Sequence, residues 1–282
     1  MSAPPAPDPR ARFAETPWAD LPLSETGPAR TVPTMLSAAE QRLYFWLARD
    51  WARGAGDIVD LGCCAGGSTA RLAEGRRQAG HAPHVHAYDR FTASEQLKER
   101  LLYPAGVAPF PGRDILPLAR RFLAPWDGLV RLHPGEIEDD LWTGQPIEIL
   151  TVDAAKSASA ADAIADLFFP SLIPGASVVV QQDYFHWRQP WIAVHMERLT
   201  DCFMPLAVCP DATAVFLCTR APDTATLARA ACDGLGDAEM LNALDAARRR
   251  MAEFGQEAGF DRLAAALAAN PGERVAWRFR KP

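Results

Sequence analysis

The sequence predicts an α/β fold: a doubly wound, mostly parallel seven-stranded sheet that ends in an antiparallel hairpin and is followed by a helical tail. Three observations carry this reading. Between residues 57 and 183, short apolar runs alternate with helical patterns. Those runs are continuous rather than alternating in and out, as in strands buried on both faces. Finally, "PLAVCPDATAVFLCTR" (205–220) holds two strand-like runs separated by about "PDA". That gap is too short for a parallel crossover and forces a hairpin.

The elements follow in order. Residues 1–33 are rich in proline and alanine without a helical or strand period, and are expected to form an extended or disordered leader. In "SAAEQRLYFWLARDWARG", Ser37 and Glu40 form a capping box, Leu43, Trp46, Leu47 and Trp51 share a helical face, and Gly54 supplies a stop. Strands are predicted at 57–62, 84–89, 129–133 and 147–153, and a fifth ends at Asp183. A helix over Thr69–Ala79 follows the first strand. Ile164, Leu167 and Phe168 give the helix after the fourth its apolar face. The 90–127 stretch is long enough to include a lid. The predicted organisation is thus a leader (1–33), a folded domain (34–220) and a helical extension (221–282). Two uses suit the extension: capping a site, or pairing with a second copy as a homodimer.

Composition excludes several classes of function. A net charge of -6, scarce lysine and scattered arginines argue against a nucleic-acid surface. The cluster Arg248, Arg249 and Arg250 reads as a solvated helix face. No run of about 18 apolar residues is present, so no membrane-spanning helix is expected. The N-terminus lacks the apolar core of a secretory signal. Six cysteines without a CxxC pair or zinc spacing suit free thiols in a reducing cytoplasm. Adjacent Cys63 and Cys64 read as small loop residues rather than a redox pair.

The chemistry concentrates in "IVDLGCCAGGSTARLAEG" (58–75), a strand, a glycine turn and a helix start. Ligand phosphates and nucleotides are often held by such a turn. A nucleoside-triphosphate loop needs a lysine where Ser68 stands. A dinucleotide loop needs a glycine where Cys64 stands, because the backbone must approach a pyrophosphate there. The pattern [DE]xGxxxGxS is met by Asp60, Gly62, Gly66 and Ser68 and involves no pyrophosphate.

Over about residues 38–220 the chain resembles the class I S-adenosylmethionine-dependent methyltransferases, whose Rossmann-like sheet ends in an antiparallel pair. The resemblance implies S-adenosylmethionine as cofactor, held by Asp60, Gly62, Cys63, Gly66, Ser68 and Asp89, with contributions from Glu136 and Asp153. Asp89, closing "VHAYD", matches the carboxylate that holds both ribose hydroxyls, two oxygens accepting two protons. Its alternative role is a helix cap. Glu136, after the third strand, matches an adenine contact, and an acidic residue on a helix N-terminus is the alternative.

Acceptors bind at the carboxyl ends of strands in open α/β sheets, and strands four and five end in "VDAAKS" and "QQDYFH". "DAAK" is similar to the DxxK segment of the catechol and caffeoyl-coenzyme-A O-methyltransferases. That resemblance implies Asp153 and Asp183 as ligands of a divalent cation such as magnesium, and Lys156 as base or hydroxyl-orienting group. The subgroup's third ligand, an asparagine, is Tyr184 here, and a neutral phenol is a poor magnesium ligand. His186 is a second candidate base, a surface helix cap being its alternative. His195, between Ile192, Met196 and Leu199, reads as a packed core residue. His81, His84 and His86 are assigned structural or surface roles. Trp187 and Trp191 suit either an acceptor wall or the core.

The resemblance therefore implies methyl transfer from S-adenosylmethionine to a hydroxyl of a small molecule, sugar-containing or natural-product-like. "VDAAKS" and "QQDY" are also similar to relatives named as cephalosporin hydroxylases. A catalytically silent cofactor-binding protein and a nicotinamide oxidoreductase remain as rivals.

Overall fold

The computed structural model describes residues 8–142, 144–210 and 212–282. Its seven strands are β1 (Asp57–Leu61), β2 (Val85–Asp89), β3 (Val130–Pro134), β4 (Ile147–Val152), β5 (Val178–Gln181), β6 (Phe203–Cys209) and β7 (Thr213–Cys218). They form one sheet in the order β3-β2-β1-β4-β5-β7-β6. The first five strands are mutually parallel, and β7 runs antiparallel to both β5 and β6. This is the expected doubly wound sheet with its terminal hairpin. Strand order reverses between β1 and β4, which opens a crevice at their carboxyl ends.

Period-two side chains divide the two faces. Ile58, Ile149, Val178 and Val180 point into one core, and Val59, Leu61, Leu150, Val152 and Val179 into the other. The first core is covered by α1 (Pro9–Ala14), α2 (Ala38–Trp46) and α3 (Gly67–Ala79). Next come the short α4 (Glu95–Leu97) and α5 (Leu116–Leu123). The second core is covered by α6 (Ala158–Phe168), α7 (Pro190–Arg198), α8 (Thr224–Ala230), α9 (Asp237–Arg250) and α10 (Glu257–Ala269). Burial on both faces is why these strands read as unbroken apolar runs. No helix among the described residues is long and apolar enough to cross a membrane.

Ser37 and Glu40 form the expected capping box at α2. Glu40 does more: its Oε2 accepts from Ser37, and its Oε1 accepts from Gln182 and Thr213, each at 2.6 Å. One buried carboxylate thus fastens the first core helix to the ends of β5 and β7.

One expectation needs correction. The leader is folded from Asp8 onward; residues 1–7 lie outside the described residues. Asp8 caps α1, and Phe13 is fully buried, its ring 5.2 Å from that of Trp46 and 5.0 Å from that of Trp51. Arg12 lies over the same two indoles. Two isolated aromatic anchors, Phe13 and Trp18, hold this segment, and no periodicity in the sequence announces them. The 90–127 stretch, expected to include a lid, is a folded excursion in which Phe91, Leu102, Ile115 and Ala119 pack with Cys63 and Ala65 of the glycine loop. Its single lysine, Lys98, is buried and donates to the carbonyls of Phe110 and Gly112.

Because the leader is anchored by packing, Phe13→Ala is expected to lower stability by about 3–5 kcal/mol, the range for a large buried aromatic. Urea denaturation checks this. An unchanged midpoint would show the segment to be peripheral to the core.

Candidate active site

The carboxyl ends of β1, β2, β4 and β5 border one cavity of about 620 Å³. Its lining brings together Asp60, Gly62, Cys63, Ser68, Asp89 and Glu136 with Asp153, Lys156 and Asp183. Nearly all the residues expected for cofactor and chemistry therefore share one space. Gly66 stands behind the wall, as the N-cap of α3.

Asp60, at the end of β1, is 2 % exposed. Its Oδ2 accepts from Ser68 Oγ at 2.7 Å and Thr69 Oγ1 at 2.6 Å, and its Oδ1 accepts from Thr151 Oγ1 at 2.6 Å. Burial raises its pKa, and the three hydroxyl donors oppose that rise. The carboxylate thereby joins β1 to the first turn of α3 and to the neighbouring β4. The turn it holds is tight. Gly62 has φ +90°, and a Cβ there would lie 2.8 Å from the carbonyl oxygen of Asp153. A Cβ on Gly67 would lie 2.4 Å from the carbonyl oxygen of Pro33. The glycines thus serve close packing of loop on loop. Cys64 adopts φ +53°, a left-handed conformation unusual for a residue with a side chain.

Asp89 ends β2 and faces the cavity. Its Oδ2 accepts from Cys64 N at 2.9 Å and its Oδ1 from Phe91 N at 2.6 Å. Each oxygen keeps a further lone pair for a ligand hydroxyl. Burial raises its pKa, the two backbone donors opposing. Glu136 is exposed at the mouth, where Arg90 approaches it at 3.9 Å. Burial pushes the Cys63 thiol well above its ordinary value and the Cys64 thiol up to about 12. Both remain free protonated thiols, without the thiolate that redox chemistry needs.

At the other end of the cavity, Lys156 Nζ donates to Asp153 Oδ1 at 2.6 Å and to Asp183 Oδ2 at 2.5 Å. Gln189 also donates to Asp183 Oδ2. Burial opposes the charge on Lys156, but the two carboxylates outweigh it and hold the amine well above its ordinary pKa. A charged amine held in this way donates rather than accepts, which favours the orienting role expected of Lys156 over the basic one. Burial raises Asp153 to about 7, with the Lys156 charge opposing and Asp183 adding. Burial also acts upward on Asp183, but Lys156 outweighs it and holds Asp183 below the usual range.

A divalent cation does not fit these residues. Lys156 Nζ already bridges Asp153 and Asp183, so a cation between them would have to displace the ammonium. Tyr184 is fully buried and its ring packs against Phe185, Phe216 and Phe260, so it offers no third ligand to the cavity. His186 is outside the cavity lining, and its ring stacks on that of Trp187. His195 is buried against Phe169, as expected of a core residue, and burial lowers it to about 4. Trp191 is a core residue whose Nε1 donates to the Ala155 carbonyl. Neither Trp187 nor Trp191 reaches the cavity.

Other residues of the wall escaped the sequence reading. Pro33 comes from the leader, Thr34 and Met35 directly follow it, Arg100 comes from the 90–127 excursion, and Gln182 follows β5. Gln182 accepts from Tyr44 Oη and donates to Glu40, so its amide is fixed. Trp277, 70 % exposed, comes from the C-terminal extension. Ala276 N donates to the Lys156 carbonyl and Ala158 N to the Arg274 carbonyl, which pins this segment beside the DxxK turn. Part of the extension thus borders the site, as one of its two expected uses requires.

No protein family matches the sequence, and no curated protein does. Solved structures are similar over the sheet. An SAH-bound methyltransferase of Podospora anserina shares 16 % identity over 76 % of this chain and 89 % of its own, with a TM-score of 0.45. Cofactor-bound Rv0187 from MTB shares 17 % identity over 76 % of this chain and 99 % of its own, with a TM-score of 0.48. CalS11, a TDP-rhamnose 3'-O-methyltransferase of calicheamicin biosynthesis, shares 13 % identity over 77 % of this chain and 96 % of its own, also at 0.48. The reading of the site rests on its own residues.

If Asp60 is the tie between the loop, α3 and β4, Asp60→Ala leaves the buried hydroxyls of Thr69 and Thr151 and the half-buried one of Ser68 without their acceptor. A stability loss of roughly 3 kcal/mol or more is expected. Thermal unfolding of the purified variant checks it, and a midpoint equal to the wild type would contradict it.

Proposed function

We propose that this chain transfers a methyl group from S-adenosylmethionine to a hydroxyl of a small molecule. One observation carries the reading. A single cavity joins a glycine loop and a ribose-type carboxylate, Asp89, to the charged group Asp153, Lys156 and Asp183. Its volume of about 620 Å³ falls in the range that takes small ligands. The loop at Gly62–Ser68 would hold the methionine end of the cofactor, Asp89 the ribose hydroxyls, and Glu136 the adenine side. When bound, S-adenosylmethionine supplies a methyl carbon already activated by a sulfonium, so that alignment of the acceptor supplies much of the catalysis.

This chain's residues then have distinct tasks. Lys156 has three N–H donors. Two are committed to carboxylates, and the third can orient an acceptor oxygen. Asp153, raised toward neutrality, takes the hydroxyl proton, since a base works best with a pKa near the operating pH. Asp183 and Gln189 hold the ammonium in place. Trp277 gives the mouth an apolar face on which a sugar or planar acceptor ring can lie. No metal takes part in this scheme.

Calorimetric titration tests the cofactor. S-adenosylmethionine and S-adenosylhomocysteine are expected to bind and NAD is not, with affinities that magnesium or a chelator changes less than about twofold. Asp89→Ala is expected to weaken binding by about 1–3 kcal/mol, the cost of unmade buried hydrogen bonds. Binding of NAD alone would overturn the reading. A second test concerns the base. A carboxylate acts as base only once deprotonated, so turnover of an accepted substrate should rise with pH through about 7 and then level off. Asp153→Asn should remove this limb and lower the rate by roughly 10²–10⁴-fold. Persistence of the limb in the variant would place the base elsewhere.

A further inference from the structure

A second cluster of ligating side chains lies at the amino end of the sheet, opposite the cavity. Asp57 opens β1, His84 immediately precedes β2, and His86 is its second residue. Two residues apart on an extended chain, the two histidines point to the same face. One ligand atom from each of Asp57, His84 and His86 falls within 4.8 Å of the others. We propose that these three residues bind one divalent transition-metal ion of the zinc class, with the remaining position open to water.

Geometry and chemistry both support this. Two imidazoles and one carboxylate suit such ions, whose bonds to nitrogen and oxygen of about 2.0–2.1 Å give a tetrahedral edge of roughly 3.3 Å. His86 Nε2 and Asp57 Oδ2 are 3.3 Å apart. The backbone N–H of His84 donates to Asp57 Oδ1 at 2.7 Å, which holds that carboxylate with Oδ2 toward the histidine. The other ring nitrogen of His86, Nδ1, lies 2.9 Å from His133 Nε2 on β3. His133 Nδ1 in turn faces Asp140 at 3.9 Å. Outer hydrogen bonds of this kind fix the tautomer and the ring angle of a ligating histidine. The edge of Trp142 closes the far side of the His86 ring.

One neighbour competes with the ion. Arg131 donates to His84 Nε2 at 3.1 Å, and arginine has no acceptor role. In this contact Nε2 is the lone-pair nitrogen and Nδ1 carries the proton, so ligation through either nitrogen requires Arg131 to let go. Its side chain is exposed and can do so. His81, also in the histidine-rich stretch, is apart from the cluster and bonds to the Ala52 carbonyl.

The test is titration of the tag-free full chain with cobalt(II), followed by its visible absorption and by displacement with zinc. One cobalt per chain is expected. His84→Asn and His86→Ala should each weaken binding at least about tenfold, and His133→Ala by roughly 10–100-fold through the outer hydrogen bond. Arg131→Ala should tighten it, and this surface change leaves the fold alone, which guards against a His86→Ala variant that fails to fold. Asp153→Asn, in the other cavity, should leave cobalt binding as it is. Absence of a cobalt spectrum, a spectrum that survives His84→Asn, or an affinity unmoved by Arg131→Ala overturns the assignment.

Discussion

A carboxylate buried among hydroxyls governs the geometry of the site. Among the described residues Asp60 has no cationic partner; Ser68, Thr69 and Thr151 satisfy it instead. Burial of a charge is tolerable only when hydrogen bonds replace its water, and here those bonds reach three elements at once. The end of β1, the first turn of α3 and the strand β4 are fixed relative to one another by one group. The close approach of Gly62 to the Asp153 carbonyl follows from that fixed spacing, because a side chain at Gly62 would force the two loops apart. In this way the cofactor end and the charged end of the cavity are held by a common support.

At the charged end, one ammonium is shared between two carboxylates. Lys156 bridges the two carboxylates, and this single placement changes the chemistry available. In the proposed scheme the amine serves as orienting donor, and the proton-accepting role passes to Asp153, whose burial lifts it toward neutrality. Tyr184 fits the same picture: its phenol turns into the core among phenylalanines rather than toward the carboxylates.

Much of this was legible in the sequence, for identifiable reasons. The mostly parallel sheet and its terminal hairpin follow from continuous apolar runs and from a connection too short to cross over. The glycine loop and Asp89 are a local pattern within about 30 residues, so their shared cavity could be anticipated. What escaped depends on distant contacts. Phe13 is a lone aromatic in a proline-rich stretch, and nothing nearby shows that it enters a nest of tryptophans. Trp277 reaches the cavity only because backbone bonds tie residues 274–276 to the DxxK turn. The fixed charge of Lys156 depends on Asp183, 27 residues away, and the residue type alone suits acid and base equally. Histidine is a residue type suited to general-base work, but the position of His186 on the chain does not reveal that it stacks outside the cavity.

The central claim is that the glycine loop and the end of β2 hold S-adenosylmethionine. Hydrogen–deuterium exchange with and without S-adenosylhomocysteine tests it at the level of individual segments. The account predicts slowed exchange in residues 60–69 and 88–92, where backbone amides form the wall beneath the ligand. Protection confined to other segments, or none at saturating ligand, would contradict it.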